Sequence, residues 1–290
     1  THQSVAALVA AGVYAGPNAS SKQMTYFNLS QYVTQLQSSD RASATGAFDY
    51  RMSENLTLFG DFMYSKTRTF SQLNGQPFTA SIPATNPLNP FNVTVTARNR
   101  LLASPRENYS NTAALRGVVG FRGQITGDWT WEAAADLNKV SQDYRNPGLI
   151  NTARRVAAVS NGIINMFART QTSAALADSA MVGTAASVAQ SKLSTYDAKV
   201  TGRLFAAPAG DVRIAVGAEH RTESLHQDAD VNSQTATFGW DSATTLDPFH
   251  GSRTVDSMYA EVRAPLVESA LAGLHYVEVS AAIRHENYSD

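Results

Sequence analysis

No cysteine occurs anywhere in the 290 residues, which removes disulfides, thiolate metal sites and cysteine nucleophiles together. Charge is scarce as well. Asp, Glu, Lys and Arg make up 16% of the chain, against about 25% in an ordinary globular domain, and the formal net charge is -1. No global field therefore points to nucleic acid or to an acidic surface. No apolar run approaches the ~20 residues of a spanning helix, and the mean hydropathy of -0.23 excludes a bundle of membrane helices. It does not exclude a β-barrel, in which half of each strand faces water. A P-loop, a GxSxG elbow, an HExxH pair and an EF-hand loop are all missing from the sequence. No covalent chemistry, cofactor or metal centre is expected on that account.

What the chain has is alternation. From Asn111 to Ser141 it reads NTAALRGVVGFRGQITGDWTWEAAADLNKVS. Ala113, Leu115, Gly117, Val119 and Phe121 share one face of a strand, while Thr112, Ala114, Arg116 and Arg122 mostly occupy the other. After a turn-rich GQITGD link, Trp129, Trp131, Ala133, Ala135 and Leu137 point one way, and Thr130, Glu132, Asp136 and Asn138 the other. A period of two sorts apolar from charged residues only on a β-strand. Arms of roughly 10–14 residues exceed the usual strand of about 5–6, and about 9–11 are needed to cross a bilayer at a tilt.

The same pattern recurs along the chain. Ala44, Gly46, Phe48 and Tyr50 face away from Thr45, Asp49 and Arg51, and after Ser53–Asn55 the run Leu56, Leu58, Gly60, Phe62, Tyr64 returns. A third hairpin sets Tyr196, Ala198, Val200, Gly202 and Leu204 against Val212, Ile214, Val216 and Ala218. A fourth pairs Met258, Ala260, Val262 and Ala264 with Val277, Val279, Ala281 and Ile283. Tight turns fall near residues 53, 125, 209 and 270, and long excursions at 70–107, 144–191 and 227–252. The first excursion holds four prolines between Pro77 and Pro90 and reads as a loop. The second contains the Ala-rich stretches ARRVAAVSNGIINMFAR and TSAALADSAMVGTAASVAQ, which suit short helices. Residues 1–40 are weakly patterned. Gly16–Lys22 reads as a loop, Gln23–Val33 as a short strand or loop, and Val5–Tyr14 lacks the basic flank of a signal peptide. The chain starts without Met and stops in what reads as mid-strand, so a piece of a longer protein is expected.

Short turns that alternate with long loops are the habit of membrane barrels. The expected fold is thus all-β: an antiparallel transmembrane β-barrel wall, a partial barrel built as a long meander of hairpins over residues 41–290, with short helices in one extracellular loop. Greasy small residues would touch lipid, and ionised ones would line an aqueous bore. A soluble sandwich is the competing reading. It would need the Ala- and Gly-rich faces to pack a core, with the Trp129/Trp131 side lying beneath a second sheet or helices.

Four segments carry a family likeness. SENLTLFGDFMYSKT, IPATNPLNPFN, SMYAEVRAPLVE and YVEVSAAIRHENYSD resemble the middle of the barrel in TonB-dependent outer-membrane receptors. The likeness covers roughly residues 40–290 and rests on several ordered motifs rather than on one. It implies a barrel of about 22 strands with an internal plug, in the bacterial outer membrane. Such a receptor imports a scarce bulky solute, by default a ferric siderophore, with cobalamin or an oligosaccharide as other members of that ligand class. It also implies contact with outer-membrane lipid, and with the TonB complex through a plug that has no counterpart in these residues. A passive, porin-like or structural barrel is the alternative from the residues alone.

Candidate ligand contacts fall in the loops. Arg154, Arg155 and Arg169 could hold an anionic chelate, since guanidinium forks match carboxylate and phosphate, or they could simply solvate helix ends. In NPLNPFN the prolines shape the loop, with Asn89 or Phe91 as a ligand contact. His220, His226 and Glu223 share one strand, but six residues separate the two histidines by about 20 Å, too far for one ion. The pair, like His285–Glu286, reads as a rim feature.

Overall fold

Alternation of this kind leaves each strand one greasy and one wet face, so strands must pair edge to edge in a register that keeps like faces together. The computed structural model, which describes residues 3–10, 28–168, 170–236, 239–241, 245–271 and 274–290, does this throughout. After a short helix α1 (Val5–Ala10), the chain runs through β1 (Ser38–Ser53), β2 (Leu56–Leu73), β3 (Pro77–Ile82), β4 (Val95–Arg100), β5 (Arg106–Thr126) and β6 (Trp129–Ile150). Then follow α2 (Thr152–Ser160), α3 (Ser173–Ser179), β7 (Val182–Ala207), β8 (Gly210–Ala229), β9 (Phe249–Leu271) and β10 (Leu274–Tyr288). Eight strands form one antiparallel sheet in the order β1-β2-β5-β6-β7-β8-β9-β10, and β3 pairs with β4 apart from it. The protein is mostly antiparallel β, and the large sheet is open, with β1 and β10 as its edges.

Several sequence expectations shift. The central arms are 21 and 22 residues long, well beyond 10–14, because both strands continue into the loop region. β1 starts at Ser38, inside the stretch read as weakly patterned, since Ser38–Asp40 pair with Arg68–Phe70. The proline-rich excursion is not all loop: β3 and β4 make a hairpin inside it. Of the Ala-rich stretches only Thr152–Ser160 and Ser173–Ser179 are helical. Val182–Gln190 is strand because it pairs with Ser141–Ile150, and His226–Ala229 reinforces part of it. Ladder pairing outweighs the helix propensity of alanine. In residues 28–33 the structure has a single 3-10 turn at Ser30–Tyr32. Gly16–Lys22 and most of Gln23–Val33 lie outside the described residues, as does the end of Val5–Tyr14.

The buried apolar residues gather away from the large sheet. Phe78, Ile82, Leu101, Ile150, Val159 and Met181 form the heart of one cluster, which draws on all of β3, β4, α2 and the ends of β6 and β7. Beyond neighbouring strands, the main contacts between elements join α2 to α3 and to β3. Among the described residues no second sheet or helical layer covers either face of the eight strands, and Trp129 and Trp131 are half-buried only by their own sheet. Part of that self-cover is aromatic. The Phe48 ring lies over Gly60, Phe59 over Gly120, Trp131 over Gly123 and Trp129 over Gly202, so large rings on one strand fill the space a neighbouring glycine leaves.

Gly148 is held in place by two constraints. Its φ is +84°, and an added Cβ would strike the carbonyl of Pro105. It sits where the β6–β7 register slips between Pro147 and Leu149. Replacing it by alanine is expected to cost about 2 kcal/mol or more, combining left-handed strain with the clash. Faster amide hydrogen exchange across residues 146–152 checks this.

Candidate functional site

Two surfaces of the sheet and one cap of loops are available for function. On one face the charged side chains pair across strands. Arg116 reaches Asp61 at 2.8 Å on β2 and Asp136 at 3.2 Å on β6. Lys199 meets Glu132 at 2.9 Å, and Arg122 pairs with Asp49 while its guanidinium stacks on Phe59. Further along, Glu223 bridges Arg221 and Arg253, and Arg284 joins Glu219 to Glu286. Each pair on so open a surface is individually weak, since water screens it. Their collective effect is a wet face with few uncompensated charges.

The opposite face carries an apolar band with a sharp upper limit. Going from the short-turn side toward the long loops, the last apolar residue before the first polar one is Tyr64 on β2, Ala113 on β5, Leu137 on β6, Tyr196 on β7, Ala218 on β8, Met258 on β9 and Ile283 on β10. Polar residues such as Lys66, Lys139, Ser194, His220, Asp256 and His285 follow. On β2 the band runs from Leu56 to Tyr64, about 26 Å at 3.3 Å per residue. Its members are bare: Ile283 and Met258 are each 72% exposed. The register shows how the limit runs. Ile283 connects through Ala260, Val216, Val200, Trp131 and Gly123 to Leu56, not to Tyr64. The limit thus slips eight residues, about 26 Å, over six strand spacings, about 29 Å. The band is inclined to the strands' perpendicular by about 40°.

Above the sheet the three long excursions lock together into one cap. Gln76 is the main clasp: its Oε1 accepts from the Ile150 amide at 2.7 Å, and its side-chain amide donates to the Asp241 carbonyl. Asn86 donates to the Val159 carbonyl at 2.8 Å, and Asn99 to the carbonyls of Met166 and Ala168. Trp240 covers Gly183 and donates its indole N–H to Asp230 at 3.1 Å. Helix α2 starts cleanly because the Asn151 side chain accepts from the Arg154 amide, and Thr172 caps α3 in the same way.

Asp230 is the charged hub of the cap. Burial disfavours its ionised form, but the Ser233 hydroxyl, the amides of Ala186 and Ser233 and the Trp240 indole all donate to it, and the net result holds its pKa below the usual carboxylate range. A carboxylate with a depressed folded pKa contributes stability that is complete above its unfolded value and is lost as pH falls through the folded one. The cap is therefore expected to loosen below about pH 4, read as a change in Trp240 fluorescence on acidification. Asp230→Asn, already loosened at neutral pH, should not show that transition.

The structure gives most of the candidate ligand residues structural work. Arg155, on α2, forms an ion pair with Asp241 at 2.9 Å and donates from Nη1 to the Thr79 carbonyl. Arg154 donates to the Ala180 carbonyl at the end of α3. Asn89 is 2% exposed, and its amide donates to the carbonyls of Ile82, Pro83 and Val93 while its oxygen accepts from the Phe91 amide. Phe91 stands 5.9 Å from the Phe167 ring. Arg169 lies outside the described residues. The structure thus brings Arg154 and Arg155 together on one helix, with their guanidiniums turned to different partners. The sequence reading passed over Gln76, Asp230 and Trp240. Their only local signal was an Asp followed by Asn and Ser, which suits a turn. Among the described residues no group of three or more His, Asp or Glu side chains converges to hold a metal ion.

No family model matches the chain, and no curated protein matches it either.

Proposed function

We propose that this chain is a wall segment of an outer-membrane β-barrel, and that the barrel belongs to a receptor importing a scarce bulky solute, by default a ferric siderophore. The observation that carries the membrane part is the inclined apolar band. The nine residues from Leu56 to Tyr64 along β2 suit the about 9–11 that a tilted strand needs to cross a bilayer, and the slope of about 40° suits the strand tilt of about 35–45° in outer-membrane barrels. Left bare in water, a band seven strands wide would far exceed the few hundred Å² of apolar patch that a soluble monomer tolerates. Lipid is the solvent that suits it. Lys66, Lys139 and Lys192 stand just above its limit without an ion-pair partner among the described residues, where lipid headgroup phosphates would meet them. The importer part rests on the family likeness and on the ordered cap, since long structured loops suit ligand capture.

Two measurements test the two parts. Purified without detergent, the chain should aggregate, whereas vesicles should take it up in a form that denatures only on heating. A monodisperse species in plain buffer defeats the membrane reading. Deletion of the gene should impair growth on at least one ferric chelate as sole iron source. Unchanged growth on every chelate removes the siderophore and leaves the passive barrel.

A further inference from the structure

His226 finds a partner that spacing along one strand does not show. His250 on β9 lies directly opposite it in register, with the two Nδ1 atoms 3.4 Å apart. The rings meet nearly edge to face, at 72°. On its far side His226 places Nε2 2.8 Å from Oδ2 of Asp228. An Nε2–H given to that carboxylate leaves the His226 lone pair on Nδ1, aimed at His250.

We propose that this cross-strand pair, with Asp228 behind it, is a site for a single tetrahedral divalent cation, Zn²⁺ by preference. With bonds of about 2.0–2.1 Å, two imidazole nitrogens on a tetrahedral zinc stand about 3.4 Å apart. On a square-planar ion, adjacent nitrogens of similar bond length stand about 2.9 Å apart, so the spacing favours zinc over Cu²⁺. To bind, His250 moves its proton from Nδ1 to Nε2, and both rings turn slightly about χ2, a torsion with broad wells for His. Water supplies the remaining two positions. Asp228 acts as the outer carboxylate that orients a ligating imidazole and strengthens it as a donor. Both rings are accessible at the loop end of the sheet, so the ion has an open approach. The site does not depend on whether the sheet lies in a membrane.

Titration of the purified, tag-free protein with Zn²⁺ against a chromophoric chelator tests it. One zinc per chain is expected, with affinity reduced at least tenfold in His226→Ala and in His250→Ala. Asp228→Asn should weaken binding by about tenfold through its orienting role. His220→Ala should leave binding unchanged, because His220 is six residues away along β8 and paired with Asp256. Co²⁺ should give the intense visible bands of a tetrahedral ion, lost in His250→Ala. Absence of stoichiometric zinc, equal losses in all three His variants, or purely octahedral Co²⁺ bands would overturn the site.

Discussion

Val119→Arg should be among the most damaging single changes in the sheet, and Val118→Arg, one residue earlier, one of the mildest. Val119 lies midway along the apolar band on β5, opposite Gly60 and Ala135, and is half-exposed. In the proposed barrel an arginine there would stand in hydrocarbon, at a cost of about 2–4 kcal/mol near the bilayer midplane. Val118 points to the other side, opposite Asp61 on β2 and Asp136 on β6. An arginine at 118 gains two carboxylate neighbours in water, and the expected change stays within about 1 kcal/mol. Denaturant unfolding from vesicles reads both. Equal tolerance of the two substitutions would mean that lipid does not touch the band, and equal damage would mean that the ion-paired face is not aqueous.

Ile150→Ala should open the cap while sparing the sheet. Ile150 is fully buried at the end of β6, its amide bound to Gln76 and its carbonyl accepting from Asp241. Truncating a buried isoleucine costs about 2–5 kcal/mol when the cavity cannot collapse. The eight-stranded ladder does not use that side chain, so the loss should stay local, as expected where stability is not uniform across a structure. Limited proteolysis should then cut within 151–181 and 74–105 with strand amides still protected. Simultaneous loss of protection in the strands would show that cap and sheet unfold as one unit.

The two experiments address the two layers that the chain builds by different means. Strand pairing is a local rule repeated eight times. Alternation of Leu56, Leu58, Gly60, Phe62 and Tyr64 with Thr57, Asp61 and Ser65 defines both faces of β2 before any partner is known. The short Glu54–Asn55 link then brings β1 into register with it. The turn positions near 53, 125 and 209 follow from the same local signal. The ends of the strands do not. β6 reaches Ile150 and β7 starts at Val182 because those segments pair with each other, and an alanine-rich run such as Val182–Gln190 has no period that announces it.

The cap escaped local reading for a plain reason. Its contacts join residues far apart in the chain, Gln76 with Ile150 and Asp241, Asn86 with Val159, and Trp240 with Gly183. A glutamine or asparagine in a loop looks the same in sequence whether it solvates a surface or ties two excursions together. Asn89 and Arg155 were legible as polar loop residues, but only packing revealed that the first fastens its own loop and the second binds helix α2 to Asp241. The histidines make the same point: along one strand His226 faces His220 at a distance, whereas across the ladder it faces His250.

By itself the sequence determined the inner stretches of the eight sheet strands and which side of each is apolar, because a period of two is written into neighbouring side chains and needs no partner. Tertiary structure alone decided the slope of the apolar band, the closing of three excursions into one cap and the pairing of His226 with His250. Each depends on the register between strands or on contacts across more than twenty residues, where the free energy comes from partners that no local window contains.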